Sequence, residues 1–111
     1  MSIAGHLCGI ALAQPHTHYI AKNMRRMKAM LGSIAATGLP ERIIRANGEE
    51  SAIFLNGNRI TFSTEAQPHT LRGMTIDHIV TEDHRWLDNP DNRAEALPAF
   101  RNGIERYTVI G

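Results

Sequence analysis

One cysteine, Cys8, stands in 111 residues, so an internal disulfide is excluded and the composition suits a reducing cytoplasm. Charge of one sign is also lacking. Twelve Lys and Arg balance eleven Asp and Glu, leaving +1 with histidines neutral, which excludes a generally basic nucleic-acid-binding surface. The longest apolar run, Leu7 to Ala13, is too short to span a bilayer, and no basic segment followed by an apolar stretch and a cleavage site opens the chain. A soluble cytoplasmic protein without membrane contact is expected. There is no internal repeat, no low-complexity linker and no Gly-x-x-x-x-Gly-Lys-[Ser/Thr] phosphate loop. The length fits one domain with a real core, and it is too small for a motor enzyme.

The order of elements points to an α/β domain. Leu7 to Ala13 reads as a strand covered on both faces and stopped by Gln14-Pro15, with Cys8 a packed small hydrophobe among Leu7, Ile10 and Leu12. A helix capped by Thr17 is expected next, because Ile20, Met24, Met27, Leu31 and Ile34 recur at helical spacing while Lys22, Arg25, Arg26 and Lys28 fall elsewhere on the wheel. That basic cluster has two readings, a solvated helix face and a DNA contact. Gly38-Leu39-Pro40 ends the unit. Arg42 to Ala46 is a short strand leading to the Asn47-Gly48 turn. Ser51 to Leu55 and Asn58 to Ser63 then flank Asn56-Gly57, a hairpin signal in which both turn residues are expected at positive φ. A surface loop from Thr64 to Leu71 delivers the chain to Arg72-Gly73 and to a buried strand, Ile76 to Thr81. Asn89-Pro90 opens a helix running to about Gly103 and interrupted at Pro98, and Tyr107 to Ile110 makes a last strand. The expectation is a mostly parallel sheet with flanking helices and an inserted β-hairpin.

The chemistry gathers around Arg72-Gly73-Met74-Thr75-Ile76-Asp77-His78-Ile79-Val80-Thr81-Glu82-Asp83. A loop Arg-Gly feeds a short apolar strand ending in two adjacent carboxylates. Open α/β sheets bind ligands beyond the carboxyl ends of their strands, and neighbouring acids there can hold Mg²⁺ and orient a water.

Taken in order, Ala46-Asn47-Gly48-Glu49-Glu50-Ser51, the hairpin, Leu71-Arg72-Gly73-Met74-Thr75-Ile76-Asp77 and the acidic pair resemble the amino-terminal ATPase domain of the large subunit of tailed-phage terminases. That family shows a similar succession: an Asn-Gly-Glu-Glu turn, a hairpin, an Arg-Gly loop, an Asp four residues after the glycine (here Asp77), and a strand ending in Asp-Glu. Leu7 to Leu31 are similar to the strand and helix that follow the phosphate loop, and Ala96-Leu97-Pro98 to Gly111 to the helix and strand after the acids. The resemblance implies an incomplete P-loop NTPase-like domain concerned with viral DNA packaging. Glu82 and Asp83 would be the catalytic Walker B acids, Glu82 the Mg²⁺-side ligand, and Arg72 and Gly73 the loop that shapes the cofactor site. Two departures matter. The pair stands as Glu-Asp, the reverse of the family's order, and a displacement of ~1 Å can cost roughly a hundredfold in rate. The resemblance also begins after the phosphate loop and stops before the nuclease domain, so the lysine and amides that cradle phosphates are absent. ATP is expected to bind only if a partner supplies that loop. Expected partners are another copy or another terminase chain, through an exposed sheet edge, with DNA reached through the motor.

Other readings use the same residues. Glu82, Asp83 and His84 with Asp77 and His78 form a small metal site in one, though neighbours on a strand point to opposite faces. In another, Asp77-His78-Ile79 followed by Asp91-Asn92-Arg93, Leu97 and Asn102 faintly resembles the ββα-metal nucleases of His-Asn-His (HNH) type, with His78 as base and Asp77, His84 or Asn102 toward the ion. A third is non-enzymatic: a split piece, a decoy or an inhibitory module for an intact packaging subunit. His16, His18 and His69 read as loop histidines, His6 as part of a mobile terminus, and Trp86 as a core anchor.

Overall fold

The computed structural model describes residues 3–110. Its centre is a six-stranded sheet in the order β2-β3-β4-β1-β5-β6, formed by β1 (His16–Ala21), β2 (Arg42–Ile44), β3 (Ser51–Ile53), β4 (Arg59–Thr64), β5 (His78–Thr81) and β6 (Tyr107–Val109). β1 pairs in parallel with β4 and β5, and β5 in parallel with β6, while β3 is antiparallel to both β2 and β4. The sheet is therefore mostly parallel, with the hairpin strand β3 alone reversed.

Two apolar layers cover it. Tyr19, Ala21, Phe62 and Val80 face helices α1 (Ile3–Ala13) and α2 (Met24–Ala36) and join Leu7, Cys8, Met27, Leu31 and Ile34 in one core. Ile20 and Ile79 point the other way, toward a second core with Leu71, Ile76, Trp86, Ala96, Ala99 and Phe100 under α3 (His84–Asp88), α4 (Pro90–Ala96) and the 3₁₀ segments Pro68–Leu71 and Leu97–Ala99. The alternation of neighbours between the cores is the period-2 geometry of a strand. Each fully buried Leu or Ile here contributes roughly 1.5–3 kcal/mol of transfer free energy.

The hairpin is present with a different turn. The Gly57 N–H donates to the Phe54 carbonyl (2.9 Å), the Phe54 N–H donates to the Asn58 carbonyl (2.8 Å), and only Gly57 takes positive φ, at 89°. Asn56 keeps negative φ, and its side chain instead accepts from the Asn58 N–H (2.9 Å). Gly38 ends α2 at φ 71°, Asn89 caps α4 ahead of Pro90, and Pro98 stands where the helix tightens into a 3₁₀ turn, all as the residues dictate.

The first third differs from expectation. Residues Leu7 to Ala13 belong to a helix, not a strand: Ala4, Leu7, Cys8 and Ala11 make a buried stripe at helical spacing, and an apolar run of this length does not distinguish the two states. The next segment is β1 rather than a helix. Thr17 is a strand residue, the cap of α2 is Asn23, which accepts from the Arg26 N–H (3.0 Å), and Ile20 lies on the sheet. His16 and His18 are thus buried strand residues and not loop residues, and His6 lies within α1. The Asn58 side chain locks α1 to the hairpin by donating to the Ala11 and Leu12 carbonyls (3.1 and 3.2 Å).

Candidate functional site at the carboxyl edge of the sheet

β1, β4 and β5 run in parallel and end together, so Lys22, Glu65 and Glu82-Asp83 emerge along one edge. Glu82 follows β5 directly. Its carboxylate accepts the Lys22 N–H (2.6 Å) and the Arg26 Nε–H (3.0 Å), just where α2 begins, and its side chain is 7% exposed. The amino end of a helix favours a carboxylate. The Tyr19 phenol lies beneath it, and burial first, then Glu82, hold that hydroxyl's pKa well above its ordinary value.

Asp83 is the N-cap of α3. Its Oδ1 accepts the Arg85 N–H (2.9 Å), Oδ2 accepts the Arg85 Nε–H (2.8 Å), and Lys22 Nζ stands 3.8 Å away. These Arg85 hydrogen bonds hold its carboxyl far below the usual aspartate range. Glu65 completes the group. Burial and then the charge of Asp83 raise its pKa, and its Oε2 is enclosed without a hydrogen-bond partner among the described residues. Three acids and three bases, Lys22, Arg26 and Arg85, therefore interleave along this edge. A cavity of about 220 Å³ opens beside it, lined by Arg26, Ala29, Met30, Ser33 and Glu82.

Arg72 and Gly73 are held elsewhere. The Arg72 guanidinium donates twice to the Glu95 carboxylate on α4 (2.9 and 2.6 Å), which lowers the Glu95 pKa, and Gly73 (φ 80°) lines a separate cavity of about 440 Å³ with Leu71, Met74, Ala94 and Pro98. Arg72 is thus bound by Glu95 rather than by either member of the acidic pair.

The residues of the nuclease-like reading are dispersed. Asp77 lies before β5, accepting the His16 N–H (2.9 Å) and the Arg101 Nε–H (2.8 Å). His78 shares a hydrogen bond with the Thr108 hydroxyl (2.7 Å), while His84 is 74% exposed beyond the opposite end of β5. Asn102 sits at positive φ in the 3₁₀ segment Arg101–Gly103. Among the described residues, no three His, Cys, Asp or Glu side chains converge as a metal-binding group, and no helix is long and apolar enough to cross a membrane.

Sequence reasoning missed Glu65, Arg85 and the placement of Lys22 and Arg26 at this edge. The signal available was local: Asp83, two residues before Arg85 and at the head of a short helix, has the form of a capping residue. No family model, curated protein or solved structure matches this chain.

Proposed function

We propose that this chain is the sheet core of a P-loop NTPase-like domain related to the large subunit of phage terminases, acting with another chain in viral DNA packaging and not as an autonomous ATPase. The observation that carries this reading is the position of Glu82-Asp83, at the carboxyl end of a strand flanked by two parallel neighbours, where open α/β sheets take their ligands. Mg²⁺ characteristically uses one or two carboxylates, with waters and substrate phosphates completing its shell, so this edge fits half of such a site. In this reading Glu82 is the Mg²⁺-side ligand and Asp83 orients a water. Both exchange contacts with Arg26 and Arg85 when Mg²⁺ binds, and the phosphates and the loop that cradles them come with a partner. Isothermal titration of the chain with Mg·ATP is expected to show weak or undetectable binding, and micromolar affinity would overturn the reading.

The partner contact follows from β6. Among the described residues it has β5 on one side and no strand on the other. The Ile79 N–H donates to the Arg106 carbonyl (2.9 Å) and the Ile110 N–H to the Thr81 carbonyl (2.8 Å), so the alternate residues Tyr107 and Val109 turn their backbone groups outward. Such an edge recruits another strand. Size-exclusion chromatography should show association that grows with concentration, and a monomer at every concentration would count against the self-pairing form of the proposal.

A further inference from the structure

The second face of the sheet carries a run of polar side chains unrelated to the acidic edge. His16 and His18 project from β1 on the same side as Thr61 and Ser63 of β4, and both histidines and Ser63 are almost wholly shielded from solvent. Four short contacts join them end to end. Ser63 Oγ lies 2.7 Å from His18 Nε2, His18 Nδ1 2.6 Å from Thr61 Oγ1, Thr61 Oγ1 2.7 Å from His16 Nε2, and His16 Nδ1 2.7 Å from the Thr75 carbonyl oxygen.

The carbonyl at one end orders every proton. A carbonyl only accepts, so His16 Nδ1 bears hydrogen and, in a neutral ring, Nε2 is a lone pair. Thr61 must then spend its one hydroxyl proton on His16 Nε2, which leaves its oxygen to accept from His18 Nδ1–H. Neutral His18 in turn presents a lone pair at Nε2, and Ser63 donates to it. The order runs Ser63 to His18 to Thr61 to His16 to Thr75, and each histidine is the Nδ1–H tautomer.

We infer that this chain is a proton-ordered switch buried in the sheet, in which protonation of His16 reverses every donor and acceptor as far as Ser63. Each proton passes along one hydrogen bond: Thr61 gives its hydroxyl proton to His16 Nε2, His18 Nδ1 gives its proton to the Thr61 oxygen, Ser63 gives its hydroxyl proton to His18 Nε2, and the Ser63 oxygen takes one proton from solvent. His16 is then the cation and donates from Nε2 to the Thr61 oxygen, and the Thr61 hydroxyl donates to the lone pair on His18 Nδ1. His18 Nε2–H donates to the Ser63 oxygen, and the Ser63 hydroxyl no longer donates within the chain. Before the change the chain holds four exchangeable protons, after it five, so the single proton from solvent closes the balance.

The charge belongs at His16. The Thr75 carbonyl and Asp77, which accepts the His16 backbone N–H, favour the cation, while Arg59 opposite it on β4 and Arg101 beside Asp77 oppose it, and His18 on its own strand is neutral. Burial, then these arginines, lower the pKa of His16, and deeper burial lowers that of His18 to about 3, so the charge settles on the first ring and not the second.

Nitrogen-detected NMR of the ¹⁵N-histidine-labelled full chain tests this. At neutral pH both rings are expected as Nδ1–H tautomers. On acidification, His18 should pass to the Nε2–H tautomer over the same pH interval in which His16 gains its second proton, with the backbone amide spectrum still dispersed. Thr61→Ser should keep the two changes coincident and Thr61→Val should uncouple them. If Thr61→Val does not fold, the wild-type tautomers and Thr61→Ser decide. An Nε2–H tautomer at His18 at neutral pH, a His18 tautomer that stays constant while His16 charges, or loss of the folded spectrum before His16 charges would each overturn the inference.

Discussion

Strand β1 passes through two polar regions built on opposite terms. Along its body, His16 and His18 sit within the protein, uncharged, each nitrogen matched to one partner at 2.6–2.7 Å. Beyond its carboxyl end, at Lys22, carboxylates and cations alternate near solvent, with partners such as Arg26 and Arg85 more than half exposed. The interior region is held by neutral hydrogen bonds, so a missing partner or an extra proton is costly. The edge region is held by ion pairs that water and salt screen, so individual losses are small and exchange for another ligand is feasible. A sheet edge able to trade its arginines for a metal and phosphates has to be of the second kind.

Acid should separate the two regions most strongly. His16, His18 and His78 have pKa values lowered by burial, so between the folded values and about 6.5 the unfolded chain binds more protons than the folded one. Their contribution is complete above about pH 6.5 and declines as pH falls, by up to about 1.4 kcal/mol per pH unit for His16 and for His18 and by less for the half-buried His78, which solvent screens. Asp83 has a lowered pKa as well, and its contribution is lost only below the ordinary aspartate range, while raised Glu65 acts in the reverse sense. Urea denaturation at pH 7.5 and 5.5 should show a marked drop, and equal stability at the two values would mean the histidines are not buried neutral.

Next in size is Thr61→Val, which leaves His16 Nε2 and His18 Nδ1 without their shared hydroxyl. A cost of about 2–6 kcal/mol is expected at pH 7.5, from two unsatisfied buried groups at about 1–3 kcal/mol each. The same denaturation measurement checks it.

The smallest effect belongs to the edge. Glu82→Gln weakens the pair with Arg26, worth about 0.2–1 kcal/mol and less in high salt. A loss from Glu82→Gln as large as that from Thr61→Val, unaffected by salt, would erase the distinction between the regions.

Elements governed by local chemistry were legible in the chain: Asn56-Gly57 as the hairpin, Gly38 after α2, Asn89-Pro90 before α4, and the strand ending at Glu82-Asp83. The first third was not. His16-Thr17-His18-Tyr19-Ile20-Ala21 puts three polar residues in succession ahead of the apolar ones, without the alternation of a half-buried strand, and its histidines are buried because Thr61 and Ser63, more than forty positions away, supply the partners. The acidic pair was placed correctly at a strand end, whereas its countercharges were not foreseen. Arg26 is more than fifty residues distant, and Arg85, though adjacent, reaches back only because Asp83 begins a helix. Long-range polar pairing leaves no periodicity to read.

The most direct measurement is a Mg²⁺ titration of the whole chain followed by the side-chain carboxyl ¹³C resonances of Glu82 and Asp83. The account predicts that both shift together with millimolar Mg²⁺ and that Glu82→Gln abolishes the response of Asp83. Resonances that stay fixed throughout, with the carboxylates still held by Arg26 and Arg85, would contradict it.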